Sequence, residues 1–133
     1  MADVRRSLVR RIVFCALSAA LVAGLAPSAQ AGHRPQTYCS ESGDVCQSTK
    51  RENGVRKLRI TLAAKYFNRY KLCVKAPDDS TTCKRFRIEK SGDVFGDVVR
   101  WRKHFPDAGE GAYTVTWRSG GSRVGARLGF HQK

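Results

Sequence analysis

The chain has 133 residues and a formal net charge of +14, from 25 Lys and Arg against 11 Asp and Glu. This length accommodates one ordinary domain and leaves no room for a second. A cationic excess of this size sets up long-range attraction to polyanions and says nothing by itself about fold.

The N-terminal segment has the three parts of a secretion signal. Arg5, Arg6, Arg10 and Arg11 form a cationic head. Ile12 to about Leu25 is uncharged and rich in Ala, Leu and Val. That run is shorter than the roughly 20 apolar residues a membrane span needs. Pro27 and the triplet Ala29-Gln30-Ala31 complete the pattern and place cleavage after Ala31. The expectation is a signal peptide over residues 1–31, read by the general secretory route. The product is secreted or retained at the cell envelope, with no membrane span remaining. Cys15 lies inside the apolar run, upstream of the triplet, so no lipobox is indicated. Loss of four arginines and Asp3 leaves a mature charge of +11.

Four cysteines then remain, Cys39, Cys46, Cys73 and Cys83. An even count in an exported chain of this size reads as two disulfides. Of the three possible connectivities, the strand pattern favours Cys39–Cys46 and Cys73–Cys83. A four-cysteine zinc site is disfavoured because no C-x₂-C pair is present.

Residues 32–37 read as a polar, flexible tail, and 38–133 as one β domain. Tyr38 to Gln47 holds the first cysteine pair around the turn composition Ser42-Gly43-Asp44. Asn53-Gly54 is a second turn signal. Leu58, Ile60 and Leu62 then alternate with polar residues, as do Tyr70, Leu72 and Val74. Such alternation is the mark of a half-buried strand. After a turn at Ala76 to Ser80, Phe86 and Ile88 alternate with Arg85, Arg87 and Glu89. Val94 to Arg102 is apolar and basic with poorer alternation. Tyr113, Val115 and Trp117 lead through Ser119-Gly120-Gly121-Ser122 to Val124, Ala126, Leu128 and Phe130. These are six strands plus one or two short ones near the first cysteines. Pairing about the Pro77 to Asp79 turn puts Cys73 opposite Cys83, Lys71 opposite Arg85 and Tyr70 opposite Phe86.

The segment Gly111 to Arg118 resembles the penultimate strand of immunoglobulin-like domains, with Tyr113 in the position of a tyrosine corner. The hairpin Tyr113 to Phe130 also resembles the end of the CopC copper-binding domain. That resemblance implies copper held by an N-terminal histidine and further His or Asp ligands. The family's Asp-Gly-His is replaced here by Ser119-Gly120-Gly121-Ser122. The fold expected is all-β, an immunoglobulin-like antiparallel β-sandwich of about seven strands with two local disulfides.

Arg59, Lys71, Lys75, Arg85, Arg87, Arg100, Arg102, Arg118, Arg123 and Arg127 all fall in the outward phase. They predict a basic sheet face that attaches to an anionic polymer, glycan or lipid headgroup, with Lys71, Lys75, Arg85, Arg87, Arg100 and Arg102 as its site residues. Trp101, in the basic and aromatic run Arg100 to Pro106, reads as a core or corner residue along with Phe105, with stacking on the neighbouring arginines as a ligand contact the alternative. The same cations would also serve merely to solubilise the sheet and guard its edges. No motif for sequence-specific nucleic-acid reading is present, and no cofactor is expected.

Two alternatives remain. Gly32-His33-Arg34 at the mature terminus makes His33 a candidate Cu(II) ligand in tetragonal geometry. A small secreted nuclease would pair His104 with Asp107 or Glu110. No catalytic motif is present, and the oxidised cysteines offer no thiol nucleophile, so the expectation is a non-enzymatic module. An inhibitor acting through a protein partner fits the same composition.

Overall fold

The computed structural model describes residues 33–133. The expected signal peptide over residues 1–31 lies outside the described residues. The described residues form ten strands, β1 (Thr37–Cys39), β2 (Val45–Ser48), β3 (Arg51–Glu52), β4 (Val55–Leu62), β5 (Arg69–Lys75), β6 (Thr81–Arg87), β7 (Glu89–Ser91), β8 (Val94–Arg100), β9 (Gly111–Ser119) and β10 (Ser122–Gln132). A short helix α1 (Trp101–His104) follows β8. Six of them have seven residues or more, and they are the six read from the sequence, five by alternation and β8 as an apolar, basic run. The two- and three-residue strands β3 and β7 are additions, too short to show a period.

The strands form two antiparallel sheets packed as a sandwich. One has the order β1-β2-β4-β8-β7, with β3 attached to β4, and the other β10-β9-β5-β6. Leu58, Ile60, Leu62 and Val99 face inward from the first sheet, and Tyr70, Leu72, Val74, Val115, Trp117 and Leu128 from the second, in one buried core. The expected hairpin register is met: Cys73 opposes Cys83, Lys71 opposes Arg85 and Tyr70 opposes Phe86. Both disulfides, Cys39–Cys46 and Cys73–Cys83, join directly opposed residues of neighbouring strands.

Three local departures have physical causes. The poor alternation of Val94 to Arg102 arises because Asp97 takes an inward position opposite Ile60. Its carboxylate accepts a hydrogen bond from the Tyr70 hydroxyl at 2.9 Å. The chain then leaves the strand at Trp101, which is fully buried. In β10, continuous alternation is interrupted by a bulge between Val124 and Leu128. Gly125 sits there at φ 63°, where the side chain of Gln47 comes too close to allow a Cβ. The buried Gln47 amide donates to Val124 O and accepts from Ala126 N, at 2.9 and 3.0 Å, and so ties β2 to the bulge across the two sheets. The expected tail is also partly anchored. Pro35 O accepts from Gly129 N, Gln36 O accepts from Thr49 N, and Thr37 begins β1.

The Tyr113 hydroxyl donates to Gly109 O at 2.8 Å and accepts from Ala108 N at 2.9 Å. It is thereby tied to the backbone four and five residues upstream. Its ring stacks on Phe130 at 4.9 Å, and Trp101 meets both rings edge-on.

Replacing Gln47 by Leu is expected to leave Val124 O and Ala126 N without partners, a loss of about 1–3 kcal/mol in urea unfolding. Gly125→Ala should destabilise comparably, through steric conflict with Gln47 and left-handed strain. A second expectation concerns alkali. Burial, then the Asp97 carboxylate, pushes the Tyr70 hydroxyl well above its ordinary ionisation range. Folded Tyr70 therefore keeps its proton past pH ~10, where an unfolded tyrosine loses it. The stability it contributes is complete below about pH 10 and falls above it, by up to about 1.4 kcal/mol per pH unit. Unfolding measured from pH 8 to 11 should show a shallower decline for Tyr70→Phe than for the parent chain.

Candidate anion-binding face

The outer face of the four-stranded sheet carries the candidate site. Period-2 alternation turns Tyr70, Leu72 and Val74 inward, so Arg69, Lys71, Cys73 and Lys75 project outward from β5. The register then aligns their neighbours. Arg85 lies opposite Lys71 from β6, and Arg118 opposite Lys71 from β9. Arg123 of β10 lies opposite Arg118. The result is a row of four cations, Arg85-Lys71-Arg118-Arg123, crossing all four strands. With strands about 4.8 Å apart, the row spans about 14 Å. Arg69 and Arg87 form another directly opposed cationic pair beside it.

Like charges directly opposite one another in a sheet are destabilising. Nothing on this face offsets them: no strand of the four contains Asp or Glu. Among the described residues, none of these six cations makes an ion pair. Arg118 Nη1 instead donates to Gly121 O at 3.2 Å, which holds the guanidinium against the turn after β9. Here Gly120 and Gly121 both adopt positive φ, at 57° and 81°, as this two-residue hairpin turn requires. Their lack of side chains leaves the end of the row open. A concavity of about 320 Å³ is lined by Arg69, Lys71, Arg85 and Arg118, with Gly120 and Gly121 at its end.

The other sheet has a different electrostatic character. Its outward Lys57 and Arg59 share Glu52, at 2.8 and 3.2 Å. The Lys57 hydrogen bond holds the Glu52 carboxyl below its ordinary range. Arg59 thus belongs to a compensated cluster.

The six site residues read from the sequence do not share one face. Lys71, Lys75, Arg85 and Arg87 lie on the four-stranded sheet, whereas Arg100 ends β8 in the other sheet and Arg102 lies in α1. Outward phase is common to both sheets, and after β6 the chain crosses to the six-stranded one. Lys75 is paired to Asp79 at 2.9 Å and Arg102 to Asp107 at 2.9 Å. Trp101 is completely buried, so of its two readings the core position holds and the aromatic ligand contact does not. Two cations of the face were missed. Arg69 extends the outward phase of β5 by one step, a signal available in the sequence. Arg34 is brought onto the face by its bond to Thr114 Oγ1 at 3.2 Å, which no local pattern foreshadows.

The residues of the alternatives are placed as follows. His33 is exposed, and no cluster of three or more His, Cys, Asp or Glu suited to a metal occurs among the described residues. His104 packs edge-on against Phe86, with ring centroids 5.2 Å apart. Asp107 binds Arg102 and the Gly109 N–H, and Glu110 is exposed.

By fold and site, the domain is a disulfide-linked antiparallel β-sandwich with an uncompensated cationic face. Comparisons with protein-family models, curated proteins and solved structures find no match to this chain. The two disulfides indicate an oxidising, non-cytoplasmic compartment. No helix among the described residues is long and apolar enough to cross a membrane.

The electrostatic reading has a direct consequence for stability. Lys71→Gln removes the cation opposed on both sides and should raise stability at low ionic strength by about 0.5 kcal/mol. The gain should vanish near 1 M salt, where the screening length falls to about 3 Å. Thermal melts at the two salt concentrations check this.

Proposed function

We propose that this is a secreted, non-enzymatic, immunoglobulin-like binding module that captures an extracellular or envelope polyanion on the outer face of its four-stranded sheet. The single observation that carries the reading is the register-aligned row Arg85-Lys71-Arg118-Arg123, with no acidic neighbour on its sheet. A sheet selected only for solubility is served as well by mixed charges, which also stabilise cross-strand pairs. A same-sign row is a stability liability that an anionic ligand relieves.

The geometry favours a flexible linear polyanion, such as a sulfated or carboxylated glycan or an anionic wall polymer, over a lipid surface. Among the described residues, the exposed large hydrophobics are Val55, Tyr66, Val94 and Val98, and none lies on β5, β6, β9 or β10. The face therefore offers charge and hydrogen-bond donors without an apolar wedge for a bilayer. Arginine forks suit planar sulfate and carboxylate groups, and Lys71 supplies a compact charge between them. Arg69 and Arg87 extend the contact along the strands.

Heparin serves as the probe, with anionic vesicles as the comparison. The oxidised chain from residue 32 onward should bind heparin at low salt and weaken steeply as salt rises. Lys71→Ser with Arg85→Ser should lower affinity at least tenfold. The substitution Arg59→Ser, in the compensated cluster, should change it less than twofold. Equal losses from both would refute a localised site, and no binding at low salt would refute the reading. Vesicle binding without heparin binding would transfer the assignment to a lipid surface.

A further inference from the structure

A second cationic groove lies on the other sheet and shares no residue with the first. It holds about 250 Å³ and is lined by Arg51, Arg56, Arg100, Arg102 and Lys103, with buried Trp101 at its base. Its sequence origin is distinct. The Asn53-Gly54 turn folds β3 back on β4 and sets Arg51 directly opposite Arg56. β8 then brings Arg100 beside β4, opposite Lys57. The helix α1 adds Arg102 and Lys103 immediately afterwards.

The groove repeats the feature that marks the first face, directly opposed cations without acidic partners. Arg102 is neutralised by Asp107, and Glu52 is engaged by Lys57 and Arg59. Among the described residues, Arg51, Arg56, Arg100 and Lys103 make no ion pair. Arg56 is held rigidly. Its guanidinium lies 4.6 Å from the centre of the Phe130 ring, and Nη1 donates to Thr49 O at 2.8 Å. Its Nε is buried without a hydrogen-bond partner. Burial, and secondarily the charge of Arg51, make protonation of Arg56 less favourable than for a free arginine. An anion seated among these groups would offset that repulsion.

We propose that Arg51, Arg100 and Lys103, arrayed about the fixed Arg56, form a second anion-binding site, so that one domain engages two segments of polyanion and cross-links separate chains. This rests on the polyanion reading of the first face and adds valency to it. The first site occupies the outer face of the four-stranded sheet, whereas the second is built on the β3–β4 turn, the end of β8 and α1 of the opposite sheet. A short oligosaccharide held in one leaves the other open. A long chain, or two chains, can occupy both, and linked sites of this kind gain avidity or condense the polymer.

The test is calorimetric titration with a size-defined heparin tetrasaccharide, alongside light scattering with long heparin. The parent domain should take up two equivalents and produce scattering aggregates at substoichiometric heparin. Arg100→Ser with Lys103→Ser should bind one equivalent, and so should Lys71→Ser with Arg85→Ser. Each double variant should retain binding to long heparin yet lose most of the scattering. These are exposed positions, and unchanged melting temperatures establish that each variant is folded; Arg51→Ser provides an independent single substitution with the same direction. One equivalent for the parent, abolished by the Lys71 and Arg85 changes, overturns the second site and leaves the first intact. Two equivalents persisting in the Arg100 and Lys103 variant also overturns it. No uptake by the parent chain overturns both readings.

Discussion

Everything on the cationic face depends on the register of β5 against its neighbours. A strand has a period of two, so a slip of one residue would turn Lys71 inward and Leu72 outward. The Cys73–Cys83 bridge joins directly opposed residues on the outer side of the β5–β6 hairpin, which that slip would separate. On the inner side, Tyr70, Leu72 and Val74 are buried in the core. A covalent link outside and apolar burial inside thus specify the same register. The alignment of Arg85 with Lys71, and of Lys71 with Arg118, follows from it.

That alignment opposes local stability, and the remainder of the domain supplies the compensation. Aromatic packing of Trp101, Tyr113 and Phe130 closes one part of the core. Polar stitches join the sheets elsewhere: Gln47 to the β10 bulge, Thr49 Oγ1 to Gly129 O at 2.7 Å, and Tyr70 to Asp97. These groups are removed from water, so each would be costly if its partner were lost. They hold the sheets in place while the outer face remains a repulsive array.

The two sheets divide the charge unequally. The six-stranded sheet contains Glu52, Glu89 and Asp97, and Glu52 binds two of its cations. The four-stranded sheet contains no acid. The positive charge of the described domain is therefore concentrated rather than spread, and local potential governs the capture of an anion more than total charge does. The grooves lined by Arg118 and by Arg100 are places where the backbone gives that potential a shape.

Alternation identified five of the long strands and an apolar, basic run the sixth, and cysteine spacing with turn chemistry identified the two disulfides and the Lys71–Arg85 pair. These are local properties, set by a two-residue period and by turns of a few residues, and the sequence by itself determined them. It also showed which cations point outward. Which sheet each cation belongs to was decided only by tertiary structure, because outward phase is the same in both layers of a sandwich. Arg100 and Arg102 were separated from Lys71 and Arg85 in this way, and Arg118 and Arg123 were brought into line with them. The inward Asp97 and the Gln47-filled bulge at Gly125 were likewise illegible, since each depends on a partner distant in the chain. Strand phase is written in neighbouring residues, whereas strand adjacency is settled by how two apolar faces fit together.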